Sequence, residues 1–145
     1  MDDRTFPARP VVAASVAVFR EGRVLIARRV RGPWVGAYSL PGGGVEVGET
    51  LREAALRELA EEVGVEAEIF AFVDHVEPIV REGGRVREHY VIAVFAARWR
   101  SGEPKTGPEA DAVAWIAPEE IGRFPTTPEL PTIIAKAARL ERSLT

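Results

Sequence analysis

The chain has no cysteine, two histidines and one methionine among 145 residues. The missing thiols exclude disulfides, thiolate metal sites and cysteine nucleophiles. No apolar run is long enough to span a bilayer. Met1 to Pro10 (MDDRTFPARP) has no apolar stretch after a basic start, so no secretory signal is read there, and cytoplasm is the default expectation. A basic excess is also lacking. The formal net charge is −3, which gives no global attraction for a nucleic-acid polymer or a membrane. Internal repeats and low-complexity segments are absent. With 46% hydrophobic and 28% charged residues, the composition is that of a soluble globular chain. Its length predicts one domain, 1–145, with a sizeable core.

The most informative stretch runs from Gly42 to Val65 (GGGVEVGETLREAALRELAEEVGV). Thr50 and Glu53 have the spacing of a capping box, in which the Thr hydroxyl accepts from the Glu53 N–H and the carboxylate reaches back to the Thr50 N–H. Good helix formers follow without a break, and Gly64 suits the left-handed position past a helix end. The spacing predicts a helix over Leu51 to Val63. At about 100° per residue, Leu56, Leu59, Ala60 and Val63 share an arc that should face the core. Glu58, Glu61 and Glu62 share another, because steps of three and four bring side chains together. Three adjacent carboxylates repel one another, and Arg57 is placed to pair with Glu53 or Glu61. A hard divalent cation such as Mg²⁺ or Mn²⁺ would relieve the repulsion. A solvated acidic face is the plainer alternative. Gly42, Gly43 and Gly44 weigh against it, since they read as a turn that lets backbone approach a ligand closely.

The other elements follow in order. Val11 to Phe19 and Arg23 to Arg29 read as a β-hairpin about Glu21-Gly22. Arg28, Arg29 and Arg31 are either phosphate contacts or surface charges. Gly32 to Tyr38 is a loop whose Trp34 is read as a packing residue rather than a base-stacking platform. Tyr38 to Leu40 is a short strand. Ala67 to Val80 and Val86 to Arg100 are strands joined at Gly83-Gly84, and His89 to Ala97 is apolar enough on both faces to be central. His75 and His89 are read as strand residues near the site rim. Ser101 to Ala110 is a surface loop and Asp111 to Ile116 a strand. A helical turn starts at Pro118. A last helix starts near Thr127-Pro128 and buries Leu130, Ile133, Ile134 and Ala137. Met1 to Pro10 is expected to be a flexible arm, the alternative being that Phe6 docks on a partner. The order of elements predicts an α/β or α+β sandwich with a mixed sheet and helices packed on it.

Gly43, five residues, Glu49, seven residues and then Arg57-Glu58-Leu59-Ala60-Glu61-Glu62-Val63-Gly64-Val65 resembles the signature of the Nudix hydrolases, with every fixed position filled. Ser39-Leu40-Pro41-Gly42-Gly43 is similar to the lead-in common in that family. The resemblance implies a Nudix-type α/β/α sandwich and metal-dependent hydrolysis of a nucleoside diphosphate linked to another group. It implies that Glu61 and Glu62 are metal ligands, that Glu58 is a ligand or base, and that the Gly43 carbonyl completes the shell around Mg²⁺ or Mn²⁺. Arg57 would orient the glutamates, and Glu49 would reach a further metal or steady the start of the helix. A loop carboxylate should reach the metals or act as base. Glu109 is the first candidate, with Glu82, Glu88 and Asp111 as rivals. Arg28, Arg29, Gly42 and Gly43 would meet substrate. Size, the LPGG lead-in and the HYVIAVFAARW strand resemble small ADP-ribose pyrophosphatase-like members, so ADP-ribose or a nucleotide sugar ranks first. A housecleaning triphosphatase acting on a substrate such as 8-oxo-dGTP ranks second. A non-catalytic nucleotide sensor ranks last, since all box glutamates are present and the length leaves no room for a DNA-binding segment. The family also makes a homodimer an expectation, with the N-terminal arm as a contact.

Overall fold

A computed structural model describes residues 4–144. Its centre is a mixed eight-stranded sheet with one helix on each face: the order of elements predicts the mixed sheet with packed helices, and the resemblance implies the α/β/α layering. Strands β1 (Val11–Arg20) and β2 (Arg23–Arg29) form the expected antiparallel hairpin, with Glu21 and Gly22 both left-handed at the turn (φ 51° and 77°). β3 (Tyr38–Ser39) lies beside β2, and β4 (Gly42–Gly44) beside β1. Helix α1 spans Leu51–Val63. β5 (Glu66–Val76), β6 (Ile79–Glu82) and β7 (Arg85–Ser101) follow, then β8 (Ala110–Ile116), a 3-10 turn at Pro118–Arg123 and α2 (Leu130–Arg142). The main path through the sheet is β3-β2-β1-β7-β5, with β8 also on β2. β1 and β7 run parallel, side by side at its centre, in register from Val11 opposite Tyr90 to Phe19 opposite Arg98.

The strand sequences explain why both faces are covered. In β1, Ala14, Val16 and Val18 face α1, whereas Ala17 and Phe19 face α2. β2 does the same with Leu25 and Ala27 on one side and Val24 and Ile26 on the other. A strand buried on both faces must read as a continuous apolar run, and Val16 to Val18 and Val24 to Ile26 are wholly inaccessible. On α1 the fully buried positions are Ala54, Ala55, Leu59 and Val63; Leu56 and Ala60, expected in the core arc, are only partly covered. The two alanines let the helix lie close to β1 and β4. α2 buries Leu130, Ile133, Ile134 and Ala137 as expected, together with Ala138. Each fully buried Leu or Ile here contributes about 1.5–3 kcal/mol.

Several expectations need correction. Gly42 to Gly44 is a strand paired to Ala13, Ala14 and Ser15 of β1, not a turn. A Cβ at Gly42 would lie 2.5 Å from the Ala14 carbonyl oxygen, so glycine is needed there for close strand approach. The expected strand over 67–80 breaks after Val76. Pro78 has no N–H to give a ladder, and its carbonyl instead accepts from Tyr90 N–H at 3.1 Å. The last helix starts at Leu130 rather than Thr127, which leaves Pro131 in its first turn. Of the arm, residues 1–3 lie outside the described residues. Phe6 N–H donates to the Arg87 carbonyl at 2.7 Å, and the Arg85 guanidinium carbon lies 4.0 Å from the centre of its ring. Among the described residues no helix is long and apolar enough to cross a membrane.

Candidate active site

α1 begins and ends as its sequence dictates. The Thr50–Glu53 capping box forms in both directions, at 3.1 and 2.9 Å, and Gly64 closes the helix at φ 72° with its N–H on the Ala60 carbonyl. Fixing both ends fixes the rotation of the helix, so that burying Leu59 and Val63 turns Glu58, Glu61 and Glu62 toward one cavity. That cavity, about 390 Å³, is also lined by Gly42, Gly43, Glu109 and the basic run Arg28, Arg29 and Arg31.

Arg57 organises the rim. Its Nε and Nη2 hold both oxygens of Glu49, at 2.5 and 2.9 Å, and Nη2 also donates to the Gly44 carbonyl at 2.9 Å. Nη1 reaches Glu58 at 3.0 Å and Glu61 at 3.2 Å. The expected pairing with Glu61 is present. The expected partner Glu53 is engaged in the cap, and Glu49 takes its place. The guanidinium therefore ties the loop before the helix, the glycine strand and two box glutamates together. Its hydrogen bonds to Glu49 hold that carboxyl below the usual carboxylate range.

Glu58 stands directly over Gly43. A Cβ there would lie 2.5–2.7 Å from all three carboxyl atoms of Glu58, so the glycine leaves room for that carboxylate. Glu62 is the most withdrawn from water. Its Oε2 accepts from Gly42 N–H at 3.2 Å. Burial pushes its carboxyl up to about 7 against the lowering effect of that hydrogen bond, and the charges of Glu58 and Glu109 add to the rise.

On the facing wall, Arg28 Nε donates to Asp111 at 2.7 Å, Arg29 Nε to the Pro33 carbonyl at 3.3 Å, and Arg31 lies 3.6 Å from Glu109. Asp111, a rival to Glu109, is thus tied to Arg28, which keeps its carboxyl low. Glu82 pairs with Arg87 outside the carboxylate cavity, and Glu88 lines only the adjoining chamber. His75 and His89 sit in strands β5 and β7 as expected, but neither lines either space.

That second chamber, about 530 Å³, shares Arg29, Arg31, Gly43 and Glu109 with the first. Its lining is mixed: Pro78, Tyr90, Ile92, Leu130 and Ile133 give it apolar surface beside Arg87, Glu88 and Glu129. Trp34, expected to pack, is half exposed at its edge, held by a left-handed backbone (φ 68°). The sequence offers no periodicity in this loop from which that placement could be read. Arg4 also lines both chambers, and nothing in the arm's sequence signalled it.

The donor set fits a hard divalent cation: oxygens only, a carboxylate withdrawn from water beside two others, and a glycine strand that approaches Glu58 closely. As they stand, no three acidic groups among the described residues close around one point. Arg57 lies between Glu58 and Glu61, and Glu62 is turned to the Gly42 amide.

Comparison with known proteins agrees with this geometry. The NUDIX domain family model matches residues 9–137. The chain belongs to the Nudix hydrolase family. A Nudix relative from Erythrobacter litoralis, named RNA pyrophosphohydrolase, is 33% identical over 121 residues, 72% of this chain and 74% of its own. An ADP-ribose pyrophosphatase of Methanocaldococcus jannaschii is 33% identical over 101 residues, 70% of this chain and 58% of its own length. A Mycobacterium tuberculosis protein named as a candidate 8-oxo-dGTP diphosphatase is 34% identical over 111 residues, covering 76% and 75%. Among solved structures, a MutT Nudix hydrolase of Burkholderia pseudomallei superposes with a TM-score of 0.76 at 32% identity, covering 88% of this chain and 98% of that one. Nudix hydrolases generally work with divalent cations, in keeping with the oxygen donors found here. The three relatives carry three different substrate names, so Nudix membership sets the reaction class and leaves the substrate to the cavity.

Proposed function

We propose that this Nudix hydrolase acts in the cytoplasm on a nucleoside diphosphate linked to a second group, with ADP-ribose or a nucleotide sugar as substrate and Mg²⁺ or Mn²⁺ as cofactor. The observation that carries the reading is the pair of joined chambers. One is lined mainly by carboxylates and arginines; the other adds the apolar surface of Pro78, Ile92, Leu130 and Ile133 and the rings of Tyr90 and Trp34 to charged groups that it shares with the first. A ligand with a charged diphosphate in the middle and a flat nucleoside at one end matches that division.

In this reading Glu58, Glu61 and Glu62, with the Gly43 carbonyl, hold the cation. When bound, it neutralises phosphoryl oxygens and lowers the pKa of a water. The residues of the chain do the rest. Arg57 keeps Glu58 and Glu61 in place through its fixed hold on Glu49. Arg28 and Arg29 offer guanidinium charge to the diphosphate from the opposite wall. Glu109, on the same wall, accepts the proton of the attacking water. Water adds in line at one phosphorus and the bridging P–O bond breaks, so that ADP-ribose and water give AMP and ribose 5-phosphate. Positioning and charge stabilisation supply most of the rate.

The test is product chromatography after incubation with ADP-ribose, nucleotide sugars, 8-oxo-dGTP and a 5′-triphosphorylated oligonucleotide, each with Mg²⁺ and with Mn²⁺. Release of two monophosphates from the first group supports the reading. Release of inorganic pyrophosphate from 8-oxo-dGTP, with the first group untouched, replaces it by the triphosphatase reading that the mycobacterial relative's name suggests.

A further inference from the structure

The residues before position 9 fall outside the family match, yet the structure brings one of them into the site. We propose that Arg4, delivered by an N-terminal arm folded back on the sheet, binds the phosphate charge of the substrate, and that Phe6 is the positioning residue that holds it there. This deepens, and rests on, the reading that the substrate carries a diphosphate.

The arm is fastened at Phe6. Its N–H donates to the Arg87 carbonyl on β7 at 2.7 Å, and the Arg85 guanidinium carbon stands 4.0 Å from the centre of its ring. The backbone there is left-handed (φ 51°), which a bulky residue rarely adopts unless its surroundings hold it. On the near side of that bend, the Arg4 guanidinium lies against the glycine strand. A Cβ at Gly44 would strike its Nη2 and lie 2.8 Å from its Cζ. Gly44 is also the residue whose carbonyl receives Arg57. Arg4 thus stands at the junction of the two chambers, lining both, with Glu58, Glu61 and Glu62 in the first and Trp34 in the second.

A diphosphate joining a nucleoside in one chamber to the carboxylate site in the other must pass this junction. A planar guanidinium offers it two parallel N–H donors. Arg29 and Arg31 line both chambers as well, together with Glu109, which lies 3.6 Å from Arg31.

The experiment is calorimetric titration of the full chain with ADP in the presence of Mg²⁺, comparing wild type with Arg4→Ala, Arg4→Lys and Phe6→Ala. The expected result is ADP binding about ten- to a hundred-fold weaker in Arg4→Ala, a partial recovery in Arg4→Lys, and a loss in Phe6→Ala close to that of Arg4→Ala. In turnover, KM should rise with kcat held within about two-fold, the mark of lost uniform binding. If Arg4→Ala lowers the melting temperature, Arg4→Gln replaces it in the same titration. Unchanged ADP affinity in the Arg4 variants, or no ADP binding by wild type, overturns the proposal. ADP binding that depends on Arg4 in a protein that leaves ADP-ribose intact upholds it and refutes the substrate reading alone.

Discussion

Glu62 is held in the folded protein at a cost, and the cost can be measured. Its carboxyl rises from an ordinary 4.5 to about 7, chiefly because burial disfavours the charged form. At about 1.4 kcal/mol for each tenfold change in proton affinity, that gap amounts to about 3 kcal/mol. The direction follows from proton counting. Between pH 4.5 and 7 the folded chain holds a proton that the unfolded chain has released. Stability is therefore complete below pH 4.5 and falls as pH rises through 7. Above that, the ionised carboxylate sits in place as a constant penalty. Glu62→Gln removes the charge and keeps an oxygen for the Gly42 N–H. In EDTA at pH 8 the variant should therefore melt above wild type, by up to about 3 kcal/mol or roughly 6–10 °C for a chain of this size. At pH 4.5 the two should melt together. A cation bound at the site would offset the same penalty, so Mg²⁺ should raise the melting temperature of wild type more than that of the variant. Turnover of the variant should fall by at least about a hundred-fold. Differential scanning fluorimetry across pH 4.5–8, with and without Mg²⁺, reads all of this. A variant less stable than wild type at pH 8, or a gain of equal size at both pH values, would refute the argument.

Other substitutions separate structural from chemical roles. The three atoms nearest a Cβ at Gly43 all belong to the Glu58 carboxyl, the far end of a flexible side chain, so Gly43→Ala should change stability by less than about 0.5 kcal/mol while turnover collapses. Gly42→Ala meets the Ala14 carbonyl at 2.5 Å and the Ser15 Cα at 2.7 Å, so it should cost about 1–3 kcal/mol in chemical denaturation. Arg57→Ala should cost about a hundred-fold in kcat by freeing Glu49, Glu58 and Glu61 together. Arg57→Lys should recover little of it, because an ammonium cannot reproduce the two-point hold on Glu49. Leu59→Ala, at a fully buried position, should lower stability by about 2–5 kcal/mol in urea without changing KM of the folded fraction.

The contrast between Glu62 and Arg4 shows what a linear sequence can disclose about a site of this kind. α1 was legible because everything that determines it is local. Its cap is three residues wide, its stop is one glycine, and the rotation that places Glu58, Glu61 and Glu62 together follows from a fixed angle per residue. The central strand β7 was legible for a similar reason: a strand covered on both sides has to be apolar on both faces, and the run to Ala97 reads so, with Ala93 to Ala97 all buried between β1 and β5. Misreadings arose where the deciding partner lies far along the chain. Three consecutive glycines look like a turn until β1 is brought alongside; then the Ala14 carbonyl and Ser15, nearly thirty positions away, explain them as a strand. Of the two partners expected for Arg57, Glu61 lies one turn on and is found, whereas Glu49 stands in place of Glu53, because the loop that carries Glu49 across cannot be seen in one dimension. Arg4 and Trp34 belong to the same class. Each reaches the chambers through a left-handed residue in a segment without periodicity, Phe6 for the first and Trp34 itself for the second, and such residues are held by tertiary contacts. The consequence is functional. The charge that would bind a cation comes from a helix specified by its own residues. The groups at the chamber junction and rim come from segments fixed only once the sheet has formed. Those segments can vary without disturbing the helix, and the discrimination between one diphosphate substrate and another is expected to reside in them.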